Sequence, residues 1–185
     1  MNDIELIKKI NNFFLHNIRT QLAIIVSGTE LLDFEQEFLD IKDSINFSSF
    51  LIDCYDAILG VLLDSFDGKY FNENFKVFSL GEKVKKLAEV FNNFKSNNVF
   101  IDVKIIEDGN AECNLIVVKN LLSIIIAEAI KYQENKLLIE IKKKSVFIHS
   151  DVKDIPEVLF DINKIMENYG VLLYKSKECL EVRIK

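Results

Sequence analysis

The chain has 185 residues, of which 49% are hydrophobic, and its formal net charge is −6 at pH 7. This length suits one compact domain or two small units that share a core. The acidic charge disfavours nucleic acid as a partner, because binding to phosphates requires a basic surface. The three cysteines are widely spaced and form no CxxC pair, which predicts neither a disulfide framework nor a zinc site and indicates a reducing cytoplasm.

No segment is expected to enter or cross a membrane. The longest apolar runs, such as LSIIIAEAI, are interrupted by charge well before the ~18 residues that a membrane span needs. The first residues, MNDIELIKKINN, lack the basic region and apolar stretch of a secretory signal. We therefore expect a cytoplasmic protein with no membrane partner.

The first predicted element is a long helix over residues 3–38. Its apolar stripe steps by four and three residues through Phe14, Ile18, Gln21, Ile25, Gly28 and Leu32. This is the seam spacing of a coiled coil or an antiparallel bundle. A second helix is predicted from about Ser48 to Ser65, with Gly68 as its C-terminal stop. Such a hairpin leaves apolar surface uncovered, so we expect a homodimeric four-helix bundle through residues 3–68.

From about residue 77 the pattern becomes mixed. The first predicted elements are a helix opened by a capping box at Ser79 and Glu82, a strand at 100–105 and a turn at Asp108 and Gly109. A helix at 114–133 and two strands at 137–150 follow. The last are a helix at 155–169, with Pro156 in its first turn and Gly170 after its end, and a strand hairpin around Lys177 and Glu178. This order predicts an α+β fold with helices on one face of a mixed sheet. We place a helical hairpin in residues 1–70 and a small α/β sandwich in 71–185.

His16 stands out because the chain has only two histidines. At ~100° per helical residue, His16 lies nearly opposite the seam residues Phe14 and Ile18 and points towards solvent. Its neighbours on this outer face are Asn12, Arg19 and Thr20. Taken alone, the pattern describes a surface histidine without a role, or one that packs against the smaller domain. His149, on a predicted strand, is interpreted as an ordinary strand histidine.

The stretch HNIRTQL, residues 16–22, resembles the phospho-acceptor box of two-component histidine kinases, whose pattern is roughly H-E-L-R-T-P-L. His16, Arg19, Thr20 and Leu22 match this pattern, Ile18 is a conservative match, and Asn17 and Gln21 depart from it. The segments 62–87, 129–132 and 165–184 look like the second dimerisation helix and parts of the ATP-binding domain of the same kinases. The resemblance implies a histidine-kinase-like fold over nearly the whole chain.

The features that hold ATP in those kinases are missing. The chain has no glycine between Gly109 and Gly170, although phosphate-binding loops use glycine to let the backbone approach the ligand closely. Asp151 alone matches the family's D-x-G-x-G box. Either Glu128 or Ile124, depending on the alignment, stands in place of the magnesium-binding asparagine. We therefore expect no bound ATP, no ATP-dependent kinase activity, and no cofactor or metal of the chain's own.

A histidine-kinase-shaped chain with a degenerate ATP-binding domain resembles the histidine phosphotransferases of bacterial phosphorelays, of the sporulation and cell-cycle types. The resemblance implies that His16 takes a phosphoryl group from the aspartyl phosphate of one response-regulator receiver domain and passes it to another. The receiver would supply Mg²⁺. The alternative function is a non-catalytic dimeric docking module that binds and regulates a response regulator or a sensor kinase.

The same resemblance suggests roles for the neighbours of His16. Arg19 would contact the phosphoryl group or the receiver backbone, although a plain surface charge is an equal alternative. Thr20 would orient a water for receiver dephosphorylation, or is simply a surface threonine. Asn17 replaces an acidic residue that serves as a base in the kinases, and asparagine cannot accept that proton. The residues expected to dock the receiver are Asn12, Phe13, Leu15 and Ala23.

Overall fold

The computed structural model describes residues 3–31, 38–69, 75–94, 98–150, 155–176 and 179–185. Two long helices come first, α1 (Asp3–Leu31) and α2 (Phe38–Phe66), and they pack side by side as a hairpin. A small domain built on a mixed sheet follows them. The predicted α+β fold, a helical hairpin followed by an α/β sandwich, is confirmed.

The predicted start of the second helix is wrong, because α2 already includes Phe38 and does not begin at Ser48. Helix α1 is described as far as Leu31, and residues 32–37 of the predicted first helix lie outside the described residues. The polar stretch KDSINF, expected to be a loop, lies inside α2. Its polar residues surround Ile45, which packs so closely on α1 that a Cβ atom at Gly28 would lie 3.0 Å from the Ile45 Cγ1 atom.

The remaining elements follow in chain order. They are β1 (Phe75–Ser79), α3 (Leu80–Asn93), β2 (Phe100–Asp108), β3 (Asn110–Asn114), α4 (Leu115–Ile130), β4 (Lys136–Lys143), β5 (Ser145–His149), α5 (Val158–Asp161), α6 (Asn163–Met166), a 3₁₀ turn (Glu167–Tyr169), β6 (Val171–Lys175) and β7 (Leu180–Ile184). Five strands form one sheet in the order β2-β4-β5-β7-β6. Strands β2 and β4 run parallel and the other neighbours are antiparallel.

Two features of this domain differ from the prediction. Strands β1 and β3 pair with each other in a separate two-stranded sheet that the sequence pattern did not indicate. The last predicted helix is divided into α5, α6 and the 3₁₀ turn. The division between α5 and α6 falls at Ile162, and Asn163 ties the start of α6 to β6, since its Nδ2 donates to the Leu173 carbonyl at 2.6 Å and its Oδ1 accepts from the Leu173 N–H at 2.7 Å. The predicted turn at Lys177 and Glu178 lies outside the described residues.

Short polar side chains fix where the helices of the small domain begin and end. Ser79 Oγ accepts a hydrogen bond from the Glu82 N–H at 3.1 Å and caps α3 as predicted. Asn114 Oδ1 accepts from the N–H of Ile116 and of Val117 and caps α4. Gly170 follows the 3₁₀ turn with a φ of +84°, a left-handed conformation that glycine adopts without strain.

The hairpin and the sheet domain share one hydrophobic core. Residues 121–129 of α4 are buried on every side, since α2 packs against this helix. Tyr55 of α2 is 1% exposed, and its hydroxyl donates to Glu128 Oε1 of α4 at 2.9 Å. Ser65 and Tyr169 form a second buried hydrogen bond between the two parts, at 3.0 Å. The domain boundary at residue 70 falls between α2 and β1 and stays a prediction.

One helix departs from the expectation that no segment is apolar enough to cross a membrane. Residues Asp40–Phe66 of α2 have the length and composition of a membrane span, with a mean hydropathy of 1.4. This is weak evidence, because core helices of soluble proteins have the same composition. The buried α2 side chains, Leu51, Tyr55, Ile58 and Leu62 among them, face the shared core. Packing within the chain, against α1 and α4, buries 33% of this apolar window.

Candidate functional site

His16 lies on the outer face of α1, in the middle of the helix, and its side chain is exposed to solvent. The residues of α1 that face the shared core are Ile10, Phe14, Asn17 and Gln21. This placement is the one that the helical pattern predicts. Because the helix on either side of His16 is continuous, the imidazole is held on a rigid backbone and remains accessible to a large partner.

Four of the predicted site residues surround His16 on the same exposed surface: Asn12, Arg19, Thr20 and Ala23. The Thr20 hydroxyl donates to the His16 carbonyl at 3.0 Å. This bond is a common arrangement for a threonine within a helix. It uses the hydroxyl proton of Thr20 and leaves the oxygen lone pairs available to accept a hydrogen bond from water.

Asn17 does not belong to this exposed surface. Its side chain is only 7% exposed, and its Nδ2 donates to the carbonyl of Phe13 at 2.9 Å. Asn17 therefore lies next to His16 in sequence but faces the hairpin core. Its burial provides a structural reason for an uncharged residue here, since a carboxylate at this place would lose hydration.

Of the remaining predicted docking residues, Phe13 and Leu15 lie in different surroundings. The Phe13 ring is half-buried and packs edge-on against Phe14 and Tyr55, at centroid distances of 5.1 and 6.1 Å. Leu15 is 40% exposed. Phe13 thus contributes mainly to the hairpin core, whereas Leu15 offers apolar surface to a partner.

An exposed apolar stripe runs along α1, about a quarter turn from His16. We call it the α1 stripe, and it consists of Ile4, Leu15, Leu22 and Val26, with half-buried Ile18 beside it. The residues of the predicted seam differ in burial. Phe14 and Gln21 are buried within the chain, whereas Ile18 and Ile25 remain partly exposed. The hairpin retains the uncovered apolar surface that the sequence pattern predicts.

A groove between the two long helices begins one turn beyond His16. Its volume is about 570 Å³. Its lining residues are Thr20, Ala23, Ile24, Ser27, Gly28 and Leu31 of α1, with Asp40, Ile41 and Ser44 of α2. Only Thr20 and Ala23 among them were predicted site residues. The small residues Ala23, Ser27 and Gly28 could have indicated this groove, since small side chains leave space between packed helices.

Glu128, one of the two residues that the resemblance places at the kinases' magnesium-binding asparagine, is held by side-chain contacts. Glu128 is 4% exposed, and both its carboxylate oxygens accept hydrogen bonds from Lys131 Nζ at 2.8 Å. One of them also accepts the bond from Tyr55. In the described parts of the chain, no group of three or more His, Cys, Asp or Glu side chains could hold a metal ion. Asp151 lies outside the described residues.

The buried cysteines are poor candidates for nucleophiles. Burial raises the pKa of the Cys54 thiol to about 11 and that of Cys113 to about 12. A thiol reacts as its thiolate, which is scarce at neutral pH when the pKa is this high. Neither buried thiol is therefore expected to act as a nucleophile at neutral pH.

Comparison with solved structures relates this architecture to histidine kinases. The chain is similar to the cytoplasmic segment of histidine kinase QseC, with a TM-score of 0.58 and 7% identity over 75% of this chain and 92% of that chain. It is also similar to histidine kinase AdeS of Acinetobacter baumannii, with a TM-score of 0.57 and 15% identity over 92% of this chain and 97% of that chain. A structure described as a bacterial phosphotransferase aligns with 100% of this chain at 10% identity, with a TM-score of 0.49.

At these identities the similarity defines the fold. The helical hairpin followed by a small mixed sheet has the fold of the phospho-acceptor and ATPase-like domains of histidine kinases. No family model matches the sequence. No curated protein matches it either.

Proposed function

We propose that this chain is a two-component signalling protein, and specifically a phosphotransferase that relays a phosphoryl group between receiver aspartates through His16. The observation that carries the proposal is the exposed imidazole on α1, beside Arg19 and Thr20, in a chain with the fold of histidine kinases. The resemblance of residues 16–22 to a phospho-acceptor box supports the same assignment.

The proposed reaction uses an imidazole lone pair as the nucleophile. A ring nitrogen of His16 attacks the phosphorus atom of a receiver's aspartyl phosphate. The new N–P bond forms while the P–O bond to the aspartate breaks, and the carboxylate leaves with the electron pair. Attack by the aspartate of a second receiver reverses these steps and regenerates the imidazole. The receivers bring the Mg²⁺ ion that stabilises the transferring group.

Arg19 lies one helical turn from His16 on the same exposed surface. A guanidinium at this place can reach a phosphoryl group on the imidazole or a carbonyl of the docked receiver. Thr20 remains a candidate for orienting water through its oxygen lone pairs. Asn17, being buried, is proposed to support the helix and to take no direct part in phosphoryl transfer.

The receiver is proposed to dock on the exposed face around His16, with Asn12, Leu15 and Ala23 as contacts. The groove between α1 and α2 extends this surface and offers apolar walls beside the polar residues Thr20, Ser27 and Asp40. A second copy of the chain is proposed to cover Ile4, Leu22 and Val26 of the α1 stripe and the exposed Leu63 of α2, which would complete a four-helix bundle and leave Leu15 to the receiver. The chain is also proposed to be cytoplasmic.

ATP-dependent autophosphorylation is not part of this proposal. The face of α4 that carries Glu128 is covered by α2, and Tyr55 and Lys131 already satisfy the carboxylate. A nucleotide would have to displace these contacts before it reached this position. The lack of glycine between Gly109 and Gly170 argues in the same direction.

Transfer of ³²P from phosphorylated receiver domains to the full chain tests the proposal. The wild type should acquire label that is labile in acid and stable in alkali, and His16→Gln should acquire none. His149→Gln is the matched control, because His149 is the chain's other histidine and lies on β5. Label on His16→Gln, or loss of label in His149→Gln, would contradict the assignment.

The alternative function is a docking module that regulates a receiver or a kinase without accepting phosphate. The apolar groove beside His16 favours it as much as it favours phosphotransfer. Under this alternative, a receiver from the same genome would bind the chain, no label would appear on the wild type, and His16→Gln would keep its biological effect.

A further inference from the structure

A narrow cavity lies between α3 and α4, away from the surface that carries His16. Its volume is about 210 Å³. The walls are aliphatic and are formed by Leu80, Leu87 and Val90 of α3 and by Leu115, Val118 and Leu122 of α4. Five of these six side chains are buried or half-buried, and Val90 is the exposed one, at 37%. The cavity is therefore a slot with apolar walls and a mouth open to solvent.

Three lysines line the same slot: Lys83 and Lys86 on α3 and Lys119 on α4. Lys86 forms an ion pair with Glu82 at 2.6 Å. Lys83 and Lys119 form no ion pair with any other residue that the structure describes. Lys83 is half-buried and lines the slot, which is typical of a lysine that packs its methylene stem on apolar surface. In a chain whose net charge is −6, two uncommitted cations beside an apolar slot favour an anionic, apolar ligand.

The dimensions of the slot indicate the kind of ligand. An α-helix with its side chains is about 10–12 Å across, too wide for this space. Pockets for drug-sized ligands measure roughly 300–1,000 Å³, so a bulky ring system also exceeds it. An unbranched alkyl chain is slender enough to lie between two helices, and its head group can remain at the mouth.

We propose that this slot binds a free fatty carboxylate of medium chain length. The alkyl chain lies between α3 and α4, and the carboxylate contacts the ammonium groups of Lys83 and Lys119. None of the lining residues belongs to the surface around His16, so the proposal stands independently of phosphotransfer. No bond is made or broken when this ligand binds.

Isothermal titration calorimetry of the full chain with octanoate, nonanoate and decanoate, each below its micellar concentration, tests the proposal. Burial of each added methylene group should tighten binding about fourfold until the slot is filled. Decanol, which has the same chain without the charge, should bind more weakly than decanoate. Absence of carboxylate binding, or equal affinity for decanol, would overturn the proposal.

Paired variants locate the site. The double substitution Lys83→Gln and Lys119→Gln should weaken decanoate binding by about tenfold or more, because it removes both charge-assisted contacts. Lys85→Gln is the matched control, since Lys85 is an exposed lysine on the same helix that does not line the slot. Equal affinity in the double variant and the control would overturn the assignment. So would sedimentation with anionic phosphatidylglycerol vesicles in the absence of decanoate binding, because the lysines would then form a membrane-surface patch.

Discussion

Glu128 is a buried carboxylate held between a tyrosine and a lysine that come from different elements. Tyr55 reaches it from α2, and Lys131 lies one turn further along α4. Burial is the main cause that raises the pKa of the Tyr55 hydroxyl, and the neighbouring carboxylate adds to it. The tyrosine therefore remains a hydrogen-bond donor throughout the neutral range. One side chain thus connects the helical hairpin to the sheet domain.

Removal of the Tyr55 hydroxyl should destabilise the whole chain. In Tyr55→Phe, one oxygen of Glu128 keeps Lys131 but loses its other donor inside the core, which costs about 1–3 kcal/mol. Urea unfolding followed by circular dichroism measures this difference. Tyr132→Phe is the control, because Tyr132 is 55% exposed. A Tyr55→Phe variant as stable as wild type would mean that water replaces the hydroxyl.

Asp108 should make part of the stability dependent on pH. Hydrogen bonds from the Ser79 hydroxyl and from the N–H groups of Gly81 and Gly109 lower the pKa of this carboxyl group. Because the folded-state pKa is depressed, the contribution is complete above the ordinary value of about 3.9 and is lost as the pH falls through the lowered value.

Comparison of wild type with Asp108→Asn by urea unfolding at several pH values between 7 and 3 checks this prediction. The wild type should be the more stable protein at pH 7, and the difference should shrink as the carboxyl group becomes protonated. A difference that is independent of pH over this interval would contradict the prediction.

At the scale of elements, two glycines differ in whether the surrounding helix or turn requires them. Gly60 lies in the interior of α2, and a Cβ atom built there has no neighbour within 4 Å. Gly170 has a φ of +84°, and a Cβ atom there would lie 2.8 Å from the Cβ atom of Cys113. The first glycine is replaceable, whereas the second is required by both the turn and the contact with β3.

Substitution to alanine should therefore have opposite effects at the two positions. Gly60→Ala should stabilise the chain by roughly 0.5–1 kcal/mol, because alanine favours the helix and meets no clash. Gly170→Ala should destabilise it by at least about 1 kcal/mol through left-handed strain alone. Thermal unfolding of both variants measures the shifts. Destabilisation by Gly60→Ala would indicate that another surface covers that part of α2.

The elements that the sequence predicted are those with strong local signals. The helix start at Ser79, the strand at 100–105 and Gly170 as a helix stop correspond to observed features, although the Glu82 side chain of the predicted capping box pairs with Lys86. Helix α2 was predicted too short because Lys42, Asp43 and Ser44 suggested a loop, although Ile45 packs on α1. Strands β1 and β3 lack a clear alternation, because the apolar Val77 of β1 is exposed and β3 buries only the small residues Ala111, Cys113 and Asn114.

At the scale of the whole molecule, periodicity alone placed His16 on the outside of α1, since an exposed face depends only on the helix that carries it. The burial of Asn17 and the bond between Tyr55 and Glu128 depend on which helix packs against which. Tyr55 and Glu128 are 73 residues apart, and no local pattern in the sequence relates them. The groove between α1 and α2 was missed for the same reason, because its walls come from two elements.

The covered face of α4 leads to a prediction about nucleotides. A ligand at 100 times its Kd stabilises a folded protein by about 2.7 kcal/mol. With α2 seated on α4 and Glu128 already satisfied, millimolar ATP and Mg²⁺ should leave the thermal midpoint of the chain unchanged. Differential scanning fluorimetry with and without nucleotide makes this measurement, and an upward shift specific to ATP would revive ATP-dependent kinase activity as a function.

The uncovered α1 stripe determines the expected assembly of the molecule. Leu22 and Val26 are 47% and 55% exposed, on the same side of the helix as Leu15. Burial of a leucine side chain contributes about 1.5–3 kcal/mol, so a surface with several such residues favours a second copy over water. Size-exclusion chromatography with light scattering should give twice the 21.4 kDa chain mass.

Leu22→Glu should shift the equilibrium to monomer, because it would place a carboxylate on each side of a two-fold interface. Glu30→Gln, on the exposed end of α1, should leave the dimer intact. A wild-type monomer at micromolar concentration would leave the stripe available to a different partner and would remove the two-fold symmetry from the phosphotransfer model.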